Sequence, residues 1–519
     1  MPDGFMRWWH TARRCILFGS STLIPRSHGC PISFNLGCGC GNEAIDMILH
    51  SFLYFIVRAG NGIFTIATLA VFTRLLSPAE YGVYALVMAI ATVASAVLFQ
   101  WLNVAVGRFY PRHLVDPDKV MAVAARGFWA ATAAATLLFL GILPFHEVFG
   151  AAPPLVGILF LITVALGRFT LALQVANAQS APVRYGMISW AKSCGALLAG
   201  FALIHFGTGE QGALLGSLAG LVFAVIAFSP NPQMRMVFGS VDTRLSAEMF
   251  RYGLPLTLNF LAIIIVDLAD RFMIGSLLGV AYVAPYAVAY DLVQQTIGPI
   301  MNFIFLASFP AIVRVFEMEG DEPARVHLYA LGSRLVAVGL PAAVAVGVLA
   351  SEISELVFGS DYRQDAATIM PWLAAAIFVG VFKISFLDVV FQLRHATKYQ
   401  GYIALLMAAV NIISNLLLLP HYGVIAAAWA TLAAFLVGAL ASWIVGRPVF
   451  SLPNLGNVFW GSAAASAAMA AVLYELPSSA GVMWLSAKVA LGVFTYALVA
   501  LVLDVADCRS LLKPGCLND

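Results

Sequence analysis

Long apolar runs separated by short polar segments fill the chain from residue 53 to residue 503. A helix of roughly 20 apolar residues crosses the hydrocarbon of a bilayer. Continuous runs favour helices over a membrane β-barrel, whose strands would alternate. The pattern therefore predicts an all-α, polytopic membrane protein with about 14 transmembrane helices. The predicted spans are 53–73, 82–104, 122–143, 155–175, 185–206, 212–229, 252–275, 283–308, 329–350, 368–391, 401–419, 423–446, 457–474 and 483–503.

Composition agrees with this interpretation. Of the 519 residues, 61% are hydrophobic and only 10% are charged, whereas soluble proteins average roughly 25% charged residues. The formal net charge of +2 is too small to indicate a nucleic-acid partner. We expect a protein whose apolar surface is covered by membrane lipid.

Lysine and arginine set the orientation, because cytoplasmic loops carry an excess of both. Placing residue 47 inside puts 17 of these cations, Lys192 among them, on the cytoplasmic side and 4 on the other. This bias predicts that both termini are cytoplasmic and that the segment 351–366 lies outside.

Residues 1–46 do not share this pattern. They hold four of the seven cysteines, Cys15, Cys30, Cys38 and Cys40, around the run LGCGCGNEA. One C-x-C does not supply the paired ligand spacings of a zinc site, and the apolar part of RWWHTARRCILFGS is short for a signal peptide. We interpret 1–46 as a disordered or misassigned leader, with the working chain starting near Met47 and no metal or other cofactor.

The rest of the chain divides into two similar halves. LLSPAEYGVYAL at 75–86 aligns with LLGVAYVAPYAV at 277–288, and in both halves a long span precedes the motif. Because six spans return the chain to the same side, two lobes would share one orientation, with a substrate site between them. The predicted parts are the N-lobe 47–229, the cytoplasmic linker 230–250, the C-lobe 251–446, and two further helices with a cytoplasmic tail, 447–519.

Polar residues form stripes on the seventh and eighth spans. On the seventh span the stripe holds two acids and an arginine, which are expensive to expose to lipid. They either line a wet cavity between the lobes or form a structural pair, Asp270–Arg271 or Asp267–Arg271. The candidate cavity residues of the two spans are Asn259, Asp267, Asp270, Arg271, Asp291, Gln295 and Asn302.

Two further intramembrane cations are candidates for binding a phosphate group. Arg58, in the first span, either faces the lobe interface or extends to the cytoplasmic surface, since it lies close to Met47. Lys383, in the tenth span, is either a cavity cation or a structural residue. Lys383 and Asp388 are five positions apart, so on an α-helix they would not share a face.

Three segments together, RLLSPAEYGVYAL, FRYGLPLTLNFL and DRFMIGSLLGVAYVAPYAVAY, resemble the polysaccharide transporter branch of the multidrug/oligosaccharidyl-lipid/polysaccharide (MOP) flippase superfamily. The resemblance covers nearly all of 47–503. It implies export of a polyprenyl-pyrophosphate-linked oligosaccharide across the bacterial inner membrane by alternating access, next to polysaccharide polymerase and export machinery. One departure is the second motif, which reads Val280-Ala281-Tyr282-Val283-Ala284-Pro285-Tyr286 where a glycine usually precedes the tyrosine.

Two alternatives stay open from the sequence. One is a cation-coupled multidrug exporter of the same superfamily, which should carry cavity acids without cations. The other is a membrane-integral polysaccharide polymerase or ligase, which should carry a large outer loop rich in Arg and His. The chain has no P-loop, so it does not indicate an ATP-driven enzyme, and a coupling ion, H⁺ or Na⁺, is left open.

Overall fold

The computed structural model describes residues 60–113, 116–142, 153–229, 242–477 and 481–506. Within the helix that covers the seventh span, the side chains of 258, 259, 262, 263 and 265–267 lie outside the description. The predicted leader 1–46 and Arg58 therefore lie outside the described residues, as do the side chains of Asn259 and Asp267.

The described residues form sixteen α-helices and no β-strand. Short 3₁₀ turns, such as Val280–Tyr282 and Ser360–Tyr362, join some of them. In chain order the helices are α1 60–75, α2 Pro78–Phe109, α3 Pro117–Ile142, α4 Pro153–Ala178, α5 Pro182–His205, α6 Gly209–Phe228, α7 Thr243–Leu277, α8 Val283–Glu319, α9 Asp321–Val348, α10 Ala350–Val357, α11 Arg363–Phe382, α12 Val389–Leu393, α13 Lys398–Tyr422, α14 Ile425–Gly446, α15 Gly456–Glu475 and α16 Val482–Val502.

These helices confirm the predicted fold class. Within the described residues, twelve helical segments are long and apolar enough to cross a membrane. The described part of the first predicted span is α1, and the seventh lies within α7. The tenth span consists of α11 and α12 joined by a π-helical segment, Lys383–Leu387.

The break between α1 and α2 follows from the sequence SPAE. The Ser77 hydroxyl accepts from the Glu80 backbone N–H, the Glu80 carboxylate accepts from the Ser77 backbone N–H, and Pro78 occupies the first turn. This capping box satisfies N–H groups that a helix start leaves without partners. The aligned position in the second half is also a helix break: α7 ends at Leu277, and the chain turns through Gly279, with a φ of +112°, before α8.

The helix of the seventh span begins inside the predicted linker. The linker was expected to run to residue 250, but α7 begins at Thr243 and makes 243–250 helical. The Asp242 carboxylate accepts from the backbone N–H groups of Arg244 and Leu245 at 3.0 and 3.1 Å. An acidic N-cap of this kind starts a helix in polar sequence. The search for apolar runs does not detect such a helix start.

Candidate functional site

A cavity of about 290 Å³ lies between the helices of the two halves. Its walls come from α1, α2, α4, α5 and α6 on one side and from α7 and α8 on the other. Hydroxyl groups and aromatic rings make up much of the wall, and its described part also holds three charged residues: Lys192, Arg271 and Asp291. Two of these three were predicted as cavity residues, Arg271 and Asp291.

Arg271 is the buried cation of this cavity, with 8% of its surface exposed. Its Nη2 donates to Asp291 Oδ1 at 2.5 Å, which joins α7 to α8. Its Nε is buried and has no hydrogen-bond partner among the described residues. A guanidinium has five donors in a planar fork that matches a phosphate, so Arg271 retains a donor for a ligand.

Lys192 was missed as a cavity residue. The charge bias places Lys192 with the cytoplasmic cations, but it lies within α5 and lines the cavity beside Ser193. The signal that could have placed it is its position inside the predicted span 185–206. Among the described residues of the lining, Lys192⁺, Arg271⁺ and Asp291⁻ give an excess of one positive charge.

A second chamber of about 240 Å³ is lined by uncharged polar groups. Its lining contains Gln295 and Asn302, both of which were predicted as cavity residues. Gln294 lines both this chamber and a third cavity, which is described below. Asn61 joins it to the first cavity, because its Oδ1 accepts from the hydroxyl of Ser193, a residue of the first cavity's wall, at 2.8 Å. Amide and hydroxyl groups in this number supply both donors and acceptors for sugar hydroxyls. Its polar lining is Asn61, Tyr185, Ser189, Gln294, Gln295 and Asn302.

Asp270 points away from this cavity and does not pair with Arg271. It is 1% exposed and accepts four hydrogen bonds inside the second half. Asn411 and Asn415 donate to Oδ1 at 2.9 and 2.6 Å. Tyr286 and Thr431 each donate to Oδ2 at 2.5 Å. Asp270 thus ties α7 to α8, α13 and α14, and of the alternatives left open by the sequence the Asp270–Arg271 pair is not formed.

Lys383 is paired with Asp388, contrary to the angular argument from the sequence. Its Nζ donates to Asp388 Oδ2 at 2.8 Å, and Ser442 donates to Oδ1 at 2.7 Å. The intervening segment is π-helical, with the Asp388 N–H donating to the Lys383 carbonyl at 2.9 Å. A π turn brings positions five apart onto one face. The pair borders the third cavity, of about 360 Å³, which is mostly apolar.

One end of the first cavity is closed by contacts between the halves, which we call the outer closure. Tyr81 lines the cavity and packs edge-on against Tyr362, with ring centroids 5.9 Å apart. The Tyr362 hydroxyl donates to the Leu76 carbonyl at 2.8 Å, and the Gly359 N–H donates to Thr73 Oγ1 at 3.1 Å. The end of the bundle with these contacts is the one that the charge bias predicts to face the periplasm.

Comparison with known proteins gives one family and one fold. Residues 71–367 match the model of a family described as polysaccharide biosynthesis protein. No curated protein sequence matches the chain. Among solved structures, the chain is similar to lipid II flippase MurJ in an inward closed conformation, with 14% identity, a TM-score of 0.68, and coverage of 90% of this chain and 100% of that one.

Two further structures extend the similarity to transporters. An inward-facing multidrug resistance MATE family transporter of the MOP superfamily is 14% identical over 76% of this chain and 97% of its own, with a TM-score of 0.56. A MOP superfamily transporter from Pyrococcus furiosus is 14% identical over 77% and 94%, with a TM-score of 0.53. These similarities show that the two-half helical arrangement is shared with flippases and transporters.

Proposed function

Because the chain belongs to the polysaccharide biosynthesis protein family, we propose that it is a flippase for a lipid-linked sugar. It moves a polyprenyl-pyrophosphate-linked oligosaccharide from the cytoplasmic to the periplasmic leaflet of the bacterial inner membrane. Its product feeds the synthesis of a cell-surface polysaccharide, such as an O-antigen or exopolysaccharide, by a polymerase and export machinery.

The observation that carries this proposal is the pair of cations in the first cavity. Arg271 has a buried Nε without a partner, and Lys192 lines the same cavity. A pyrophosphate carries negative charge on several oxygens, and arginine and lysine are the residues that bind it. Inside a cavity of low dielectric, such contacts are stronger than they are at the surface.

The uncharged polar lining of the second chamber supports the proposal that the same substrate carries a sugar. Gln294, Gln295 and Asn302 lie one to three turns along α8 from Asp291. A headgroup with its pyrophosphate on Arg271 and Lys192 would place its first sugar among these amides. The polyprenyl tail would remain in the bilayer, because a cavity of about 290 Å³ has no room for it.

Alternating access gives the outer closure a role. With the closure intact, the cavity is sealed towards the predicted periplasmic end, so the substrate would enter from the cytoplasmic leaflet. Release would require the contacts of Tyr362 and Gly359 with the first half to separate. These are a few hydrogen bonds and one aromatic contact, each worth on the order of 1 kcal/mol, so separating them requires little free energy.

The cavity chemistry favours this function over its two rivals. A multidrug exporter for cationic drugs would need a net acidic cavity, and the described lining of the first cavity holds two cations and one acid. A polymerase or ligase would need a catalytic group, whereas the two cations of this cavity suit the binding of an anion.

A coupling ion remains part of the proposal. Asp270 would bind the H⁺ or Na⁺, because among the described residues it is a buried carboxylate that accepts from four neutral donors and forms no salt bridge. Binding of either ion would require these donors to reorient, which would move α7 relative to α13 and α14. Flipping in vesicles with imposed H⁺ or Na⁺ gradients would identify the ion.

The test is deletion of the gene, followed by identification of the lipid-linked glycan that accumulates on the cytoplasmic face. Complementation with Arg271→Gln and Lys192→Gln should leave that glycan inside, at normal protein abundance for Lys192→Gln. Lys119→Gln, at an exposed lysine paired with Asp116, is the matched control and should restore export. Restored export by both cavity variants would exclude the proposed pyrophosphate site.

A further inference from the structure

A fourth cavity, of about 580 Å³, lies away from the proposed substrate path. It forms where α14 ends at Gly446 and α15 begins at Gly456, so it lies at the level where two predicted membrane spans meet the surface. The linker 451–455 forms one wall, and α9 and the π segment form another. The charge bias places this end of the bundle at the cytoplasmic face.

The cavity combines an apolar wall with one charged group. Phe382, Phe386 and Phe459 contribute aromatic rings, and Arg447 is the one charged residue among the described residues of its lining. Arg447 lies over the Trp443 ring, 3.5 Å from its centroid, and makes no salt bridge within the described part of the chain. Stacking on tryptophan fixes the guanidinium and leaves its N–H donors available.

Polar groups next to Arg447 complete a site for an anion. Ser451 and Asn454 line the cavity, and at the start of α15 the Gly456 N–H donates to Asn454 Oδ1 at 2.8 Å, which leaves the amide N–H groups of Asn454 as donors. The start of a helix carries partial positive charge, which adds to that of Arg447. A ligand that fits has a phosphate at the surface and a hydrocarbon chain below it.

The geometry points to a binding site for one anionic phospholipid of the cytoplasmic leaflet, between α14 and α15. Its phosphate lies on Arg447 and its acyl chain lies along Phe382 and Phe386. Basic pockets between transmembrane helices on the cytoplasmic side are places where acidic headgroups bind, and an interfacial tryptophan is typical of that depth. A zwitterionic lipid is attracted to Arg447 less strongly, because the positive charge of its ammonium group offsets the negative charge of its phosphate.

The site is connected to the buried pair in the tenth span. Phe382, Phe386 and Leu387 line this cavity, whereas Lys383 and Asp388 line the third cavity on the other side of the same segment. On α14, Ser442 donates to Asp388, and the next residue, Trp443, supports Arg447. A lipid in the site therefore packs against the π segment and stabilises it in the form that aligns Lys383 with Asp388.

Native mass spectrometry of the purified full chain tests this site. The probes are phosphatidylglycerol and phosphatidylcholine with identical acyl chains. We expect the wild type to bind one phosphatidylglycerol about tenfold more tightly than phosphatidylcholine. A ratio of affinities of this size corresponds to one charge-assisted hydrogen bond. Arg447→Gln should abolish this preference. Arg314→Gln, at an exposed arginine of α8 outside the cavity, should retain it.

A second variant and a second readout keep the test independent of folding. Ser451→Trp, at an exposed position of the rim, should block the site and remove binding of both lipids there. Phosphatidylglycerol with a photoreactive acyl chain should label peptides from 382–387 or 443–459. An unchanged preference in Arg447→Gln, or labelling confined to other peptides, would overturn the assignment. Tighter binding of a short polyprenyl phosphate than of phosphatidylglycerol would show that the occupant is the carrier lipid instead.

Discussion

Arg271 on α7 forms its ion pair with Asp291 on α8, 2.5 Å away, inside the cavity between the halves. Its sequence neighbour Asp270 turns into the second half, because successive residues of a helix point about 100° apart. Two adjacent charges of one helix thus serve different purposes. Arg271 faces the proposed substrate, whereas Asp270 holds four helices together.

This pair should respond asymmetrically to removal of either partner. The Arg271 side chain is 9% exposed and that of Asp291 is 34% exposed. Asp291→Asn leaves a buried cation without its counter-charge, which costs roughly 3–5 kcal/mol. Arg271→Gln leaves a carboxylate that cavity water reaches, so its cost should be smaller. We expect lower protein abundance for Asp291→Asn than for Arg271→Gln, measured by quantitative blotting.

Export separates the binding role of this pair from its structural role. Both single variants should lose glycan export, and the double variant should recover abundance without recovering export. Export at the wild-type level by an abundant double variant would contradict a role for Arg271 in binding.

The sequence predicted the helices well because membrane spans and caps depend on local signals. Fourteen apolar runs correspond to described helices, and the capping box at Ser77 and Glu80 starts α2 as the motif SPAE implies. The repeat between the halves extends to contacts: Tyr84 lies 3.3 Å from Ser217 on α6, and Tyr286 lies 3.2 Å from Thr431 on α14. The same alignment places Thr68 opposite Asp270, so the carboxylate belongs to one half only.

The site was harder to predict because its pairs depend on tertiary contacts and on one irregular turn. Nothing local indicates that Arg271 contacts Asp291, twenty residues away, or that Asn411 and Asn415 surround Asp270. Lys383 and Asp388 were separated by assuming an α-helix, and the π segment removes that separation. Lys192 was assigned by a charge count that ignores which face of a helix a cation occupies.

Removal of one donor from Asp270 should destabilise the second half. Thr431→Val deletes a hydroxyl that donates to the buried carboxylate at 2.5 Å. A hydrogen bond to a charged group contributes about 1.5–3 kcal/mol. Thr368→Val, at an exposed threonine that donates to the Gln364 carbonyl, is the matched control and should cost little. The unfolding temperature of each variant is measured in detergent. Equal unfolding temperatures would mean that the hydrogen bond from Thr431 to Asp270 does not stabilise the second half.

The pair Lys383–Asp388 should behave as a unit. Both side chains are almost fully buried, so Lys383→Met and Asp388→Asn each strand a charge, at a cost of roughly 3–5 kcal/mol. The double variant removes both charges and should recover most of the lost stability. The exposed pair Arg325–Glu322 provides the comparison, since Arg325→Gln should cost less than about 1 kcal/mol. Additive losses in the double variant would show that the two residues act separately.

Orientation can be checked at Ser360, an exposed residue of the turn before α11. The charge bias predicts that it faces the periplasm. A single cysteine there, in a background with the native cysteines replaced, should react with a membrane-impermeant maleimide added to intact spheroplasts. Reaction only after the membrane is broken would reverse the predicted orientation.

The outer closure depends on two glycines that allow backbones of the two halves to touch. A Cβ at Gly359 would lie 2.0 Å from the Thr73 carbonyl oxygen, and one at Gly82 would lie 2.0 Å from the Val280 carbonyl oxygen. Backbone atoms cannot move aside as a flexible side chain does. Gly359→Ala and Gly82→Ala should therefore hold this end of the cavity apart.

An open outer end should expose the cavity to the periplasm and stop export, because alternating access requires each end to close in turn. A cysteine at Thr68, in the cavity wall, should become reactive to an impermeant maleimide from outside in Gly359→Ala. Gly347→Ala is the control, since its Cβ would meet Pro371 at an ordinary 3.5 Å, and it should leave Thr68→Cys protected and export intact. If Thr68→Cys stays protected in Gly359→Ala while export continues, the two halves close at this end through contacts other than those of Gly359. If Thr68→Cys reacts and export continues, closure is dispensable, and the flippase would work by a route other than alternating access.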